Sequence, residues 1–251
     1  MNVQVLVATM HQNDHSILEK MNIQSDAIIG NQCDRNLIED FKYNDYNVKF
    51  LNFKERGVGL NRNNALMRAT GDICLFADDD MVYVDNYPSI LISNFEKYSK
   101  ADVLVFNLIE ENSNRCQIKK VKKVNWFNYL RYGTARIAFK LDSVKKNGIY
   151  FNQCFGGGTE HCHGEDNLFL TDCLKKKLKI YSIPISIAIL TNERESTWDN
   201  GYNDKYLIDQ GVLYKTISHR YWKLLCLQDA IRHSNIYKMS WFKAYKKMIN
   251  K

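Results

Sequence analysis

The run Asp72-Ile73-Cys74-Leu75-Phe76-Ala77-Asp78-Asp79-Asp80 decides how the rest of the chain reads. A short, continuous apolar segment between acids is a buried strand. In open α/β sheets, ligands bind beyond the carboxyl ends of the strands, which is where the three aspartates fall. Adjacent carboxylates repel one another, so a cation belongs in their site. A hard divalent ion holding a diphosphate fits, because Mg²⁺ or Mn²⁺ takes one or two carboxylates plus phosphate oxygens. A solvated acidic turn is the plainer alternative.

Working outward, the 251-residue chain is long enough for one large domain or two small ones. It contains two prolines and no Gly/Ser-rich run, which argues against a flexible interdomain linker. The segment Val3–Ala8 reads as a buried strand, not a signal peptide. No stretch approaches the roughly 18 apolar residues of a membrane-spanning helix. Seven scattered cysteines point to reduced thiols and a cytoplasmic setting. The net charge of +7 is uneven: residues 212–251 hold nine Lys/Arg and one Asp. That asymmetry suggests a tail facing something anionic.

Strands are expected at Val3–Ala8, Asp26–Gly30, Val48–Phe53, Ile73–Ala77, Val103–Leu108 and Ile180–Ile189. Helices are expected near Asp14–Met21, Arg35–Tyr43, Gly59–Ala69 and Asn86–Tyr98, and again from about Gly164 and from Tyr202 onward. This alternation predicts an α/β fold with a doubly wound, mostly parallel sheet and helices on both faces. Arg115–Lys123 alternates basic and apolar residues, as an exposed or edge strand does. The predicted organisation is a domain over 1–211, with a nucleotide-binding half to about 110 and an acceptor half after it. A basic amphipathic helical tail, 212–251, follows.

Several features then line up in order: Thr9 after the first strand, Asp34 after the second, Gly57-Val58-Gly59-Leu60-Asn61-Arg62-Asn63-Asn64-Ala65, the aspartate triplet, and Gly164-Glu165-Asp166. In this order residues 1–210 resemble the inverting family 2 glycosyltransferases of the GT-A fold, bacterial surface-polysaccharide type. The resemblance implies transfer of a sugar from a nucleotide-sugar donor, a UDP-sugar by preference, to a saccharide or lipid-linked saccharide. It implies that Thr9 and Asp34 contact the uridine, Arg62 the nucleotide, and Asp78 and Asp79 the ribose or metal. Asp80, Asp79 and Asp78 are the metal candidates. Gly157, within Gly156-Gly157-Gly158, would let the backbone approach the donor sugar. Plainer roles stand beside these: a helix cap for Thr9, a turn residue for Asp34, and a surface arginine for Arg62.

Inverting transfer is a single displacement, and the acceptor hydroxyl must lose its proton as the new bond forms. The resemblance assigns that base to Asp166, with Glu165 beside it; two acids stabilising a helix start is the alternative. His163 and Trp198 are acceptor-side candidates, the latter by stacking on a sugar. His161-Cys162-His163 has poor zinc spacing. Many relatives carry a metal-site histidine near positions matching Thr191-Asn192-Glu193, where this chain has none; Asn192 or Glu193 offers oxygen in its place. The tail has three readings: an anionic membrane surface, a partner or second copy, or packing on the domain. No nucleic-acid partner is expected. Two alternatives stay open, a nucleotide-sugar-binding protein without turnover and a sugar-phosphate nucleotidyltransferase.

Overall fold

Alternate residues of the first strand, β1 (Val3–Met10), point to opposite faces: Val3, Val5 and Val7 enter one buried core and Leu6 the other. Both faces are therefore covered, as in a doubly wound sheet. A computed structural model describes residues 1–110, 116–191 and 201–250. After the short helix α1 (Ile17–Lys20), β2 (Asp26–Gln32) pairs in parallel with β1. Next come β3 (Leu37–Tyr43), β4 (Tyr46–Phe53), α2 (Val58–Arg68), β5 (Ile73–Asp78), β6 (Met81–Tyr83) and α3 (Tyr87–Lys97). The second half holds β7 (Val103–Ile109), β8 (Lys122–Val124), β9 (Ile137–Lys140), α4 (Leu141–Lys146), α5 (Glu165–Lys175) and β10 (Ile180–Leu190). Two 3-10 turns, Tyr129–Arg131 and Thr134–Arg136, precede β9.

The sheet runs β3-β4-β2-β1-β5-β9-β7-β10-β6, with β8 on β10. Its centre, β4-β2-β1-β5, is parallel, whereas β9 joins antiparallel to both β5 and β7. The expected α/β architecture is thus present. Expectation and structure part at Arg35–Tyr43, which was read as a helix. Leu37–Tyr43 is instead an edge strand antiparallel to β4. Glu39, Phe41 and Tyr43 are half-buried on one side of it, a period of two. The basic segment Arg115–Lys123 yields a strand only at Lys122–Val124, on β10; Arg115 lies outside the described residues.

The C-terminal stretch is three helices, α6 (Asp204–Ile217), α7 (Trp222–His233) and α8 (Trp241–Ile249). Position 212 falls inside α6. Asn203 and Ser240 cap α6 and α8, each accepting from the backbone N–H three residues on. The three helices enclose their own core of Leu207, Leu213, Cys226, Ala230, Ala244 and Met248, joined by Phe155 and Leu168 from the sheet domain. Asp229 is buried there and satisfied by His233 Nδ1 and the Tyr237 hydroxyl, each 2.6 Å away. A side chain at Gly211 would place its Cβ 1.9 Å from the Met248 carbonyl oxygen, so only glycine lets α6 and α8 approach this closely.

Candidate active site

The parallel register places the carboxyl ends of the central strands at one edge: Ala8 lies opposite Asp78, and Thr9 opposite Asn31. Thr9, 4% exposed, donates its hydroxyl to Asp79 Oδ2 at 2.6 Å and accepts from the Gln12 amide at 2.8 Å. The backbone carbonyl of Asp80 accepts from Thr191 N at 2.8 Å and Thr191 Oγ1 at 3.1 Å, tying the triplet to the end of β10. Asp34, mostly exposed, pairs with Arg56 Nη2 at 3.0 Å.

Arg62 projects from α2 and is 4% exposed. Its Nη2 donates to Asp78 Oδ1 at 2.5 Å and its Nη1 to Glu165 Oε1 at 2.9 Å, while its guanidinium carbon lies 5.4 Å from the centre of the Phe151 ring. Burial alone would favour the neutral form. The two carboxylates outweigh it and raise the arginine above its ordinary range, so the charge is permanent. The chain reaches this arrangement through a glycine loop. Gly57 begins α2 at φ 111°, a conformation that favours glycine. The Gly157 carbonyl accepts from Val58 N at 3.0 Å, which fixes the late glycine loop on the start of α2.

Asp166 lies in the first turn of α5, next to Glu165. Its Oδ1 accepts from the backbone and side-chain nitrogens of Asn167 at 2.6 and 2.7 Å. Burial, and then the neighbouring Glu165 charge, push the carboxyl up to about 6, against the opposing pull of Asn167 and Arg62. A cavity of about 400 Å³ opens in front of it. Arg62, Asp78, Glu165 and Asp166 form one wall, and Leu108 with residues 130–136 forms the rest. A carboxylate poised near neutrality beside a permanent cation can accept a proton from a hydroxyl held in that cavity.

His163 does not line this cavity. Its Nε2 pairs with Gln210 Oε1 at 2.7 Å, and its ring stacks on Tyr206 at 4.3 Å. Burial lowers its proton affinity. Asp209, 2% exposed, holds the same loop: it pairs with His161 Nδ1 at 3.0 Å and accepts from Cys162 N at 3.1 Å. Burial would raise Asp209, but hydrogen bonds from Lys205, His161 and Cys162 hold it down to about 2. Gly164, at φ 106°, starts α5 pressed against Leu213 of α6. Trp198, Asn192 and Glu193 lie outside the described residues.

A family model, "Glycosyl transferase family 2", matches residues 31–156, half of the chain. The chain belongs to that family. It is therefore a glycosyltransferase. Among solved structures, Staphylococcus aureus TarS 1–349 in complex with UDP-GlcNAc superposes at a TM-score of 0.69 and 16% identity, over 100% of this chain and 76% of that one. The UDP complex of TarS 1–349 gives 0.65 at 16% identity, over 99% and 90%. A longer TarS structure gives 0.63 at 16% identity, over 99% and 55%. At such identity the likeness is one of fold, here GT-A. A comparison with curated protein sequences finds no match.

In this glycosyltransferase the described residues contain no group of three or more His, Cys, Asp or Glu placed to hold a metal ion. The oxygen donors of Asp79 and Asp80 still suit a hard ion that takes most of its ligands from a diphosphate and water. They do not make an all-protein cage. Sequence reasoning missed the far wall of the cavity, Leu130–Arg136, because those residues form no motif. It also missed Phe151 beneath Arg62 and Asp209 beneath the histidine loop, since each acts through contacts distant in sequence.

Proposed function

We propose that this enzyme transfers a sugar from a UDP-sugar to a saccharide or lipid-linked saccharide of a surface glycan, with inversion at the anomeric carbon. The observation that carries the reading is the Asp166 carboxyl, raised to about 6, facing the 400 Å³ cavity beside the Arg62–Glu165 pair. In this reading Asp166 takes the proton of the acceptor hydroxyl as that oxygen attacks. Glu165 holds Arg62 in place, and Arg62 with Asp78 sets the donor's polar end. Thr9 and Asp34 face the nucleoside and Gly157 the donor sugar; Trp198 serves the acceptor side, and His163, held by Gln210 and Tyr206, serves it only by bracing the loop ahead of α5. Asp80 and Asp79, with Asp78 nearby, would hold Mg²⁺ or Mn²⁺, which when bound supplies charge neutralisation at the diphosphate.

The TarS complexes with UDP-GlcNAc and UDP support a uridine donor for the fold this chain shares. No helix among the described residues is long and apolar enough to cross a membrane. We place the enzyme in the cytoplasm, with the nine Lys/Arg of residues 212–251 toward an anionic inner membrane face. The test is a thermal-shift panel of UDP, GDP, CMP and dTDP, each with and without Mn²⁺, followed by product analysis. A UDP-selective, metal-dependent shift is expected, since a ligand that binds only the folded state raises its stability. No shift with any nucleotide, or a product with retained configuration, would overturn the reading.

A further inference from the structure

A second concentration of positive charge lies outside residues 212–251 in the sequence. Between Cys116 and Leu141 there is no acidic residue, while Lys119, Lys120, Lys122 and Lys123 crowd around β8. All four are exposed, and none is ion-paired among the described residues. The turn that follows is ordered by its own asparagines. Asn125 Oδ1 accepts from Phe127 N at 2.9 Å, Asn128 Oδ1 from Asn125 N at 2.8 Å, and Asn128 Nδ2 donates to the Lys123 carbonyl at 3.1 Å. This turn presents Phe127 at 93% exposure, the highest of any large hydrophobic among the described residues. Trp126 beside it is 48% exposed and packs edge-on against Tyr129 at 5.7 Å.

We propose that this turn and its lysines dock the enzyme on an anionic lipid bilayer, with Phe127 and Trp126 entering the headgroup boundary. The charge is complementary to anionic headgroups, each lysine near such a surface being worth roughly a five-fold gain in binding. The aromatic pair favours lipid over a polyanion without aromatic groups. A soluble polyanion would engage the lysines and leave the phenyl ring in water, whereas an interface takes up both. Leu130, three residues past Phe127, packs against the cores of both the sheet domain and the three-helix bundle. Leu130 and Arg131 also wall the cavity in front of Asp166. One continuous stretch, residues 119–136, thus carries both the docking turn and the far wall of the cavity, which on the proposed function would bring a lipid-linked acceptor near the site.

The test is flotation of the full chain with vesicles of phosphatidylcholine containing phosphatidylglycerol, against pure phosphatidylcholine vesicles. Neither arm depends on turnover. Binding to the anionic vesicles alone is expected. Phe127→Ser should weaken it by roughly ten-fold or more, without a change in melting temperature because the ring packs on nothing. Replacing the four lysines by glutamine should weaken binding by at least as much, leaving what the basic residues of 212–251 contribute. Absence of vesicle binding by the unaltered chain overturns the proposal. So does full retention by Phe127→Ser, whether Trp241→Ser/Phe242→Ser then releases the protein, placing contact on the tail, or soluble polyphosphate competes it away, placing contact with a polymer. A dimer seen without vesicles and lost in Phe127→Ser would assign the turn to a second copy of the chain and overturn the proposal too.

Discussion

Arg62 Nη1 meets Glu165 Oε1 at 2.9 Å although 103 positions separate the two residues in sequence. The contact links α2, the helix after the first glycine loop, to the start of α5. Removing the cation leaves two carboxylates facing each other in a partly buried site. Arg62→Met is therefore expected to cost about 3–5 kcal/mol, read as a lowered urea midpoint at neutral pH. Arg62→Lys should recover only part of the loss, because a single ammonium cannot fork to both partners. An unchanged midpoint in Arg62→Met would show that the pair contributes nothing to folding.

The raised Asp166 carboxyl makes a prediction with a definite sign. The folded chain holds this proton up to about pH 6, whereas an unfolded aspartate releases it near pH 4. The raised value favours folding below about pH 4, and that contribution fades as pH rises to about 6. Asp166→Asn should remove this slope and stabilise the protein above pH 6 by roughly 1–3 kcal/mol. The same group should give kcat/KM an acid limb near pH 6, with turnover in the variant lower by roughly 10²–10⁴-fold. Turnover preserved in Asp166→Asn would remove it as the base.

Asp80→Ala tests the proposed metal role. In the presence of Mn²⁺, UDP affinity measured by calorimetry should fall by at least roughly ten-fold, the loss that even outer partners of a metal cause. Without the ion, variant and parent should bind alike, and a chelator should reduce the parent to the variant's level. Equal Mn²⁺-dependent affinity would move the ligand role to a neighbouring carboxylate.

Asp209 offers a positioning test. It holds His161 and the Cys162 backbone N–H just ahead of α5. Asp209→Asn should destabilise by about 1–3 kcal/mol. Because its carboxyl is held down to about 2, the stabilisation exists above about pH 4 and is lost as pH falls toward 2. The variant should lack that acid-side decline. Its kcat should drop while donor affinity stays, since the loop it orders leads to Asp166 and not to the nucleotide end. A change in donor affinity alone would contradict that placement.

The strands carrying the site were legible because buried central strands are written as continuous apolar runs, as in Ile73–Ala77. The order of Thr9, the Arg62 loop, the aspartates and Glu165-Asp166 was legible because parallel strands bring their carboxyl ends to one edge. The edge strand Leu37–Tyr43 was misread because edge strands carry charge and weak alternation. Its signal was the Asn44-Asp45 pair, with Asn44 at φ 52°, the kind of residue a two-residue hairpin turn requires. The breaks between α6, α7 and α8 fall at Ser218 and Ser240, one ending a helix and one capping the next. The cavity wall at Leu130–Arg136 had no sequence signal, since its residues are placed by a pair of 3-10 turns and carry no shared chemistry.

The contact between Arg62 and Glu165 also joins residues made at different stages of synthesis. A ribosome delivers Arg62 and Asp78 close together, but Glu165 is made 103 positions after Arg62. Asp209, which anchors the loop ahead of Glu165, comes 48 positions after its partner His161. The central strands are all synthesised early, whereas the loop ahead of Glu165-Asp166 gains its Asp209 anchor only once α6 has been made.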